Sequence, residues 1–120
     1  MQIDRELLEL AAKAVGLVTY GDYEDNMWAH REDEHPDQAC RWNPMIDDGD
    51  ALRLAVKLNL MIDIRDDGAH TYVLGDYGLN ADELHGDDAG AATRRAIVRA
   101  AAEIAVRAHP DHKDGGAVYG

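Results

Sequence analysis

The residues of this chain that could do chemistry are carboxylates, histidines and aromatics, gathered mostly between Tyr20 and Asp50. Asp22, Glu24, Asp25, Glu32, Asp33, Glu34 and Asp37 follow one another there, with Tyr20, Tyr23, Trp28 and Trp42 interleaved. Acid beside aromatic suits a surface that must occupy an arginine-lined groove, because carboxylates steer and pair while rings act as buried anchors. Tyr20, Asp22, Tyr23, Glu24, Asp25, Trp28, Glu32, Asp33, Glu34 and Asp37 are therefore the expected partner-binding residues. The competing reading is a solvated loop whose tryptophans turn inward.

Other chemistries are less well served. His30, His35 and Cys40 recur at five-residue intervals, which matches no compact zinc spacing. His109 and His112 stand close together, but in a segment that reads as a tail. Asp47-Asp48-Gly49-Asp50 lacks the alternating ligands and closing Glu of a calcium loop. No metal and no cofactor is expected. Nucleophilic catalysis needs an activated hydroxyl or thiol beside a base. The chain has no Ser, its hydroxyls outside Tyr are Thr19, Thr71 and Thr93, and Cys40 has only His35 near it in sequence. The 11 glycines form no phosphate-binding motif. No catalytic residue can be named, and binding is favoured over catalysis. A small enzyme or a metal or small-molecule binder is the second reading, with a pocket formed by Cys40, His30 or His35 and Asp47–Asp50. A self-assembling structural component is the third.

Charge narrows the partners. The chain carries 24 acidic and 12 basic residues, a net of −12. The excess is local: residues 1–90 hold 21 acids against 7 bases, and residues 91–120 hold 3 against 5. A field of that sign repels nucleic acid and anionic membrane and attracts basic protein surfaces. Neither direct nucleic-acid contact nor membrane contact is expected. Arg94, Arg95, Arg99 and Arg107 would then pair with the acidic body or with a partner's carboxylates. No apolar run approaches the roughly 18 residues of a membrane span, and the start does not resemble a signal peptide. A single cysteine cannot form an internal disulfide. The expectation is a soluble, cytosolic protein.

The elements that must position these residues follow from periodicity. With 46% hydrophobic residues in 120, the chain should form one domain with a real core, over 1–110, followed by a flexible tail at 111–120. Phe is absent, so Trp28, Trp42 and five Tyr supply the aromatic bulk. Leu7, Leu8, Ala11, Ala12 and Val15 recur at helical spacing over 4–15, with Asp4 as a candidate N-cap and Gly16 as the stop. Leu17–Tyr20 reads as a short strand, and Gly21–Pro44 as an irregular loop with the strand resuming towards Trp28. Asp47 caps a second helix in which Asp50 takes the third position. The run Ala51, Leu52, Leu54, Ala55, Val56, Leu58 and Leu60 predicts that this helix is largely buried. Met61–Arg65 alternates like a half-buried strand, Asp66-Asp67-Gly68 turns, and Thr71–Leu74 pairs back. Residues 75–90 read as loop. Ala91–Ala108 forms an alanine-rich helix able to pack close to a sheet, ended by His109-Pro110. The expected fold is α/β (α+β): three helices and a small three-stranded sheet, arranged as an α/β/α sandwich.

One stretch carries a family resemblance. WNPMIDDGDALRLAVKLNLMIDI, followed some 30 residues later by ATRRAIVRAAAEIA, resembles small proteins of tailed bacteriophages described as an ABA-sandwich domain family. The likeness rests on Trp42, Pro44, Asp47, Asp48, Gly49, Asp50, Ala51, Leu52 and Leu54. It extends to Ala55, Lys57 and Leu58, to Thr93, Arg94, Arg95, Ala96 and Ile97, and to the N-terminal amphipathic helix. The resemblance implies a three-layer fold and a phage or prophage origin, and brings no catalytic residues. Small size and acidity, joined to such an origin, suggest a mode of action. A small acidic phage accessory protein would bind and inhibit a basic host protein in the cytoplasm of the infected bacterium. A CRISPR effector or another nucleic-acid-binding defence complex is the natural target, and a homodimer is compatible with that role.

Overall fold

The computed structural model describes residues 4–108, which fold into three α-helices and two three-stranded antiparallel sheets, an α+β arrangement of about 45 × 35 × 25 Å. The tail at 111–120, His109-Pro110 and His112 lie outside the described residues. Helix α1 (Asp4–Ala14) buries Leu7, Leu8, Leu10, Ala11 and Ala12 along one face. The chain leaves it through Gly16, whose φ of 77° is left-handed and whose N–H donates to the Lys13 carbonyl. Strands β1 (Leu17–Gly21), β2 (Met27–Arg31) and β3 (Cys40–Arg41) form the first sheet in that order. Helix α2 (Asp48–Lys57) follows, then β4 (Met61–Arg65), β5 (His70–Leu74) and β6 (Asn80–Leu84) form the second sheet in order. Helix α3 (Ala89–Ala108) closes the described chain.

Helix α3 is the centre of the molecule. Both other helices and strands β5 and β6 pack against it. It buries Ala92, Ala96, Ala100, Ala101, Ala102 and Ala105 with Ile97 and Val98, so it is enclosed on more than the narrow stripe that its isoleucines suggest. Small side chains let several neighbours approach one helix at once, as close packing requires. Its arginines then lock the periphery. Arg94 donates to the Met45 carbonyl and to Asp48, each at 2.8 Å, and Arg95 reaches Asp4 at 2.9 Å. Arg99 pairs with Glu83 and also donates to the Asp82 carbonyl. Arg107 pairs with Glu103 and donates to the Tyr77 carbonyl. Arg94, Arg95 and Arg99 are thus engaged by acids of the rest of the chain, and Arg107 by an acid of its own helix.

The start of α2 bears out its capping signature. The Asp47 carboxylate accepts from the Asp50 N–H at 2.8 Å, and the Asp50 carboxylate reaches back to the Asn43 N–H at 2.9 Å. Arg53 closes on Asp50 at 2.8 Å. Asp4, by contrast, stands inside α1 and uses its carboxylate on Arg95.

Three expectations change in detail. The protein has two three-stranded sheets rather than one, because β2, β3 and β6 are strands by pairing rather than by composition. The second sheet is not the middle layer of a sandwich. Helix α3 covers its Thr71, Val73 and Ala81 face, and among the described residues no helix packs on the face carrying His70, Tyr72 and Asp82. That face has its own polar order: His70 Nδ1 lies 2.9 Å from Asp82, its ring centroid is 4.5 Å from that of Tyr72, and the Arg65 guanidinium sits 5.9 Å from the Tyr72 ring. Finally, α2 is buried on one side only, through Ala51, Leu54 and Ala55, while Leu52 and Val56 are exposed. It lies at the edge of the molecule with α3 as its main neighbour.

A methyl group is all that fits at the centre of α3. Ala101→Leu should lower unfolding free energy by about 1–3 kcal/mol through overpacking. Glu103→Leu, on the exposed side of the same helix, should change it by about 0.5 kcal/mol or less. Urea titration of both variants checks the contrast.

Candidate functional site

The stretch expected to be an irregular acidic loop is largely a β-hairpin. Leu17 to Gly21 pairs with Met27 to Arg31, Tyr20 lying opposite Trp28 and Val18 opposite His30. Arg41 of β3 then lies opposite Trp28. Side chains directly opposite in an antiparallel pair share a face, and so do residues two apart. Val18, Tyr20, Trp28, His30 and Arg41 therefore form the outer face of the first sheet. Met27 and Ala29, on the other face, are buried in the core. Val18 and Tyr20 are exposed, and Trp28 and His30 are half-buried. Trp42 turns inward against the core, as the competing reading had both tryptophans doing.

The acids divide into two groups, one at each end of this face. Asp22 to Asp25 form the hairpin tip beside Tyr20 and Trp28. Glu32 to Asp37 follow the far end of β2, roughly 14 Å away at about 3.4 Å per residue. The ten expected residues thus lie on or around one sheet, but not as a continuous row. They also differ in what they are free to do.

Asp22 is committed to the fold. One of its oxygens accepts from the Glu24 N–H at 2.8 Å and the Asn26 N–H at 3.0 Å. The other accepts from the Trp28 indole N–H at 2.9 Å and the Asn26 amide at 3.2 Å. The indole bond above all, helped by the backbone donors and opposed by partial burial, lowers the Asp22 carboxyl from 3.8 to about 2. Glu34 is likewise internal: its carboxylate accepts from the Arg31 N–H at 2.8 Å and closes the turn after β2. Asp33 lies 3.4 Å from Arg31. Asp37 donates its N–H to His35 Nδ1 at the start of a short helical turn over Pro36–Gln38. The carboxylates of Glu24, Asp25 and Glu32 are exposed and make no hydrogen bond or ion pair with any described residue. Tyr23 projects fully into solvent from the tip. Asp25 has a left-handed φ of 64°, which lets the tip turn tightly enough to point it outward.

Sequence reasoning missed Val18, His30 and Arg41 as members of this face. The signal was present: Val18-x-Tyr20 and Trp28-x-His30 both have the period of two that places side chains on one face. Arg41 pairs with no acid and stands beside Trp28. A shallow hollow of about 380 Å³ adjoins it, walled by Trp42, Asn43, Ile46, Asp50 and Arg53.

The pocket proposed for catalysis is not assembled. His30 is on the outer face, where its Nδ1 donates to the Arg31 carbonyl at 2.7 Å. Cys40 pairs with Ala29 on the opposite face, and His35 lies in the connection between the strands. Among the described residues no group of three or more His, Cys, Asp or Glu side chains could hold a metal ion. A hydroxyl chain does exist elsewhere: fully buried Thr71 lies 2.8 Å from both His85 Nε2 and the Thr93 hydroxyl. It satisfies a buried strand residue and ties β5 to α3. No described helix is long and apolar enough to cross a membrane. No family model matches the chain, and neither curated proteins nor solved structures give a match.

The Asp22 carboxylate sets an acid dependence of known sign. Its pKa is lower folded than unfolded, so its contribution is complete above pH 3.8 and is lost as pH falls from 3.8 towards 2. Asp22→Asn should be less stable than the parent at pH 7, and the gap should close across that window. Urea unfolding followed by tryptophan fluorescence at pH 7, 4 and below 3 measures it; an undiminished gap in acid would refute the assignment.

Proposed function

We propose that this protein is a phage-encoded accessory protein that binds a basic host protein through the outer face of the first sheet and inhibits it. The observation that carries this reading is the arrangement of that face. An aromatic centre of Tyr20 and Trp28 is flanked by two acidic groups, and the carboxylates of Glu24, Asp25 and Glu32 have no internal partner. The tip and turn acids that are engaged, Asp22 and Glu34, hold the free ones in place. A surface so built meets a guanidinium-rich groove with little reorganisation, which favours affinity. Trp28 is preorganised by its bond to Asp22, as suits an anchor.

The class of partner follows from the acidity of this face taken together with a phage origin. The target is a host nucleic-acid-binding complex, a CRISPR effector or another defence machine, whose basic groove the acidic face occupies in place of nucleic acid. The site of action is the cytoplasm of the infected bacterial host. The protein itself needs no nucleic acid, metal or cofactor for this.

The test is affinity capture from host lysate, followed by affinity measurement on the purified complex. Raising salt from about 50 to about 200 mM should weaken binding tenfold or more, since rim charges are screened over that range. Reversal of Glu24, Asp25 and Glu32 to Lys should weaken it at least as much, and Tyr20→Ala should speed dissociation. All four residues are exposed, so the domain should stay folded. A charge-reversed variant that still binds and inhibits as the parent does would overturn the reading.

A further inference from the structure

A second surface lies on the opposite kind of chemistry, apolar and electrically balanced. Strand β4 is one edge of the second sheet. Of its residues, Ile62 and Ile64 share the face of Thr71 and Val73 that turns towards α3. They open onto a groove of about 300 Å³ walled by Asp48, Ala51, Leu52, Thr93, Arg94 and Ile97. Leu52, 60% exposed, and Ile64, 58% exposed, meet at this groove, and Val56, 67% exposed, follows Leu52 one turn further along α2. Edge strands usually carry a lysine, a proline or a covering side chain to block further pairing. The sequence Met61-Ile-Asp-Ile-Arg65 has neither lysine nor proline, its two charges, Asp63 and Arg65, are paired with each other, and no described side chain bonds to its backbone. Strand β6, at the other edge of the same sheet, is blunted by Arg99, which binds the Asp82 carbonyl.

Within β4 and its groove the charged side chains are paired, and the acids of the following turn, Asp66 and Asp67, lie beyond the end of the strand. Asp48 is neutralised by Arg94 at 2.8 Å, and Asp63 by Arg65 at 3.0 Å. In a chain of net charge −12, a balanced surface is a place where a second copy can approach without net repulsion. The open edge of β1 is different, since the groove beside it is bordered by two acids, Glu9 and Glu32, against one base, Lys13. A strand that pairs with its own copy does so antiparallel about a two-fold axis. Centred on Asp63, the pairing would set two like charges opposite each other. Centred on Ile64, it sets Asp63 of one copy opposite Arg65 of the other and the reverse, with the two Ile64 side chains in contact over the joined grooves. That register is charge-complementary and apolar at its axis.

We infer that the protein forms a two-fold dimer through β4, joining the two second sheets into one six-stranded sheet whose inner seam is filled by Ile64, Leu52 and Val56. The inference is independent of the reading of the first sheet, since it uses none of the residues of that sheet's outer face.

Light scattering across a concentration series tests it. The mass in solution should rise to twice the 13.2 kDa of the chain, and β4 amide exchange should slow in step. Ile64→Lys should return the protein to monomer, and Leu52→Glu with Val56→Glu should do the same from the neighbouring helix. Asp63→Arg and Arg65→Asp should each lose the dimer, and the two together should restore it, since only the double exchange recreates opposite charges in the paired register. A mass that stays monomeric, a dimer that survives Ile64→Lys or either single exchange, or a double exchange that fails to restore it, would overturn the inference. Circular dichroism of each variant separates loss of pairing from loss of fold.

Discussion

Everything in this molecule is arranged around the freedom of α3 to touch several neighbours at once. The chain has no phenylalanine, and none of its described tryptophans or tyrosines is fully buried, so no large ring fills the centre. Its solution is to bring the elements close over alanine. Helix α1 contributes the bulk that α3 lacks, through Leu7, Leu8 and Leu10. The cost of such a core is its intolerance: close backbone approach leaves no slack for an added methylene. The benefit is that both sheets need only one covered face each, and their other faces stay at least partly exposed.

Much of the acidity is structural. Asp47 and Asp50 organise the start of α2, Asp88 accepts from the Ala91 N–H at the start of α3, Asp22 closes the hairpin tip, and Glu34 closes the following turn. Asp48, Asp4 and Glu83 receive the arginines of α3. Exposed pairs of this kind contribute little each, about 0–1 kcal/mol, and act chiefly by fixing orientation. Among the described residues, the carboxylates without a hydrogen bond or ion pair fall in two places: Glu24, Asp25 and Glu32 around the first sheet, and Asp66, Asp67, Asp76 and Asp87 in the turns around the second. The net charge of the sequence therefore overstates how diffuse the negative field is, because the carboxylates without a partner include a small cluster with a definite position.

The sequence was most legible where a local signal and the tertiary role agree. The Asp47 cap, the Gly16 stop, the α3 helix and the hairpin through Asp66-Asp67-Gly68 are each written in a few adjacent residues. Strands β2 and β6 were not, because MWAHR and NADEL contain no β-branched residue and form strands by register with a neighbour. The exposure of Leu52 and Val56 was hidden for the converse reason. Hydrophobic residues on several sides of a helix predict enclosure, and α2 lacks the neighbours to provide it. For the binding face, residue types were readable but their division of labour was not. Asp22 and Glu24 look alike in sequence, and only the positions of the Trp28 indole and the backbone donors show that one is engaged and the other free.

The chain order of these elements bears on how the protein comes to exist. Both sheets are meanders whose strands pair with their nearest neighbours in sequence, whereas α1 must wait for α3, as the ion pair between Asp4 and Arg95 makes plain. Hairpins close in microseconds, and long loops add to the folding barrier. During synthesis every strand is therefore made before the helix that covers both α1 and the second sheet. Until Ala89–Ala108 has left the ribosome, the chain carries two partly formed sheets and a leucine-rich helix with nothing to bury them. A strong negative charge keeps such nascent chains apart, and this supplies a reason for acidity that has nothing to do with any partner.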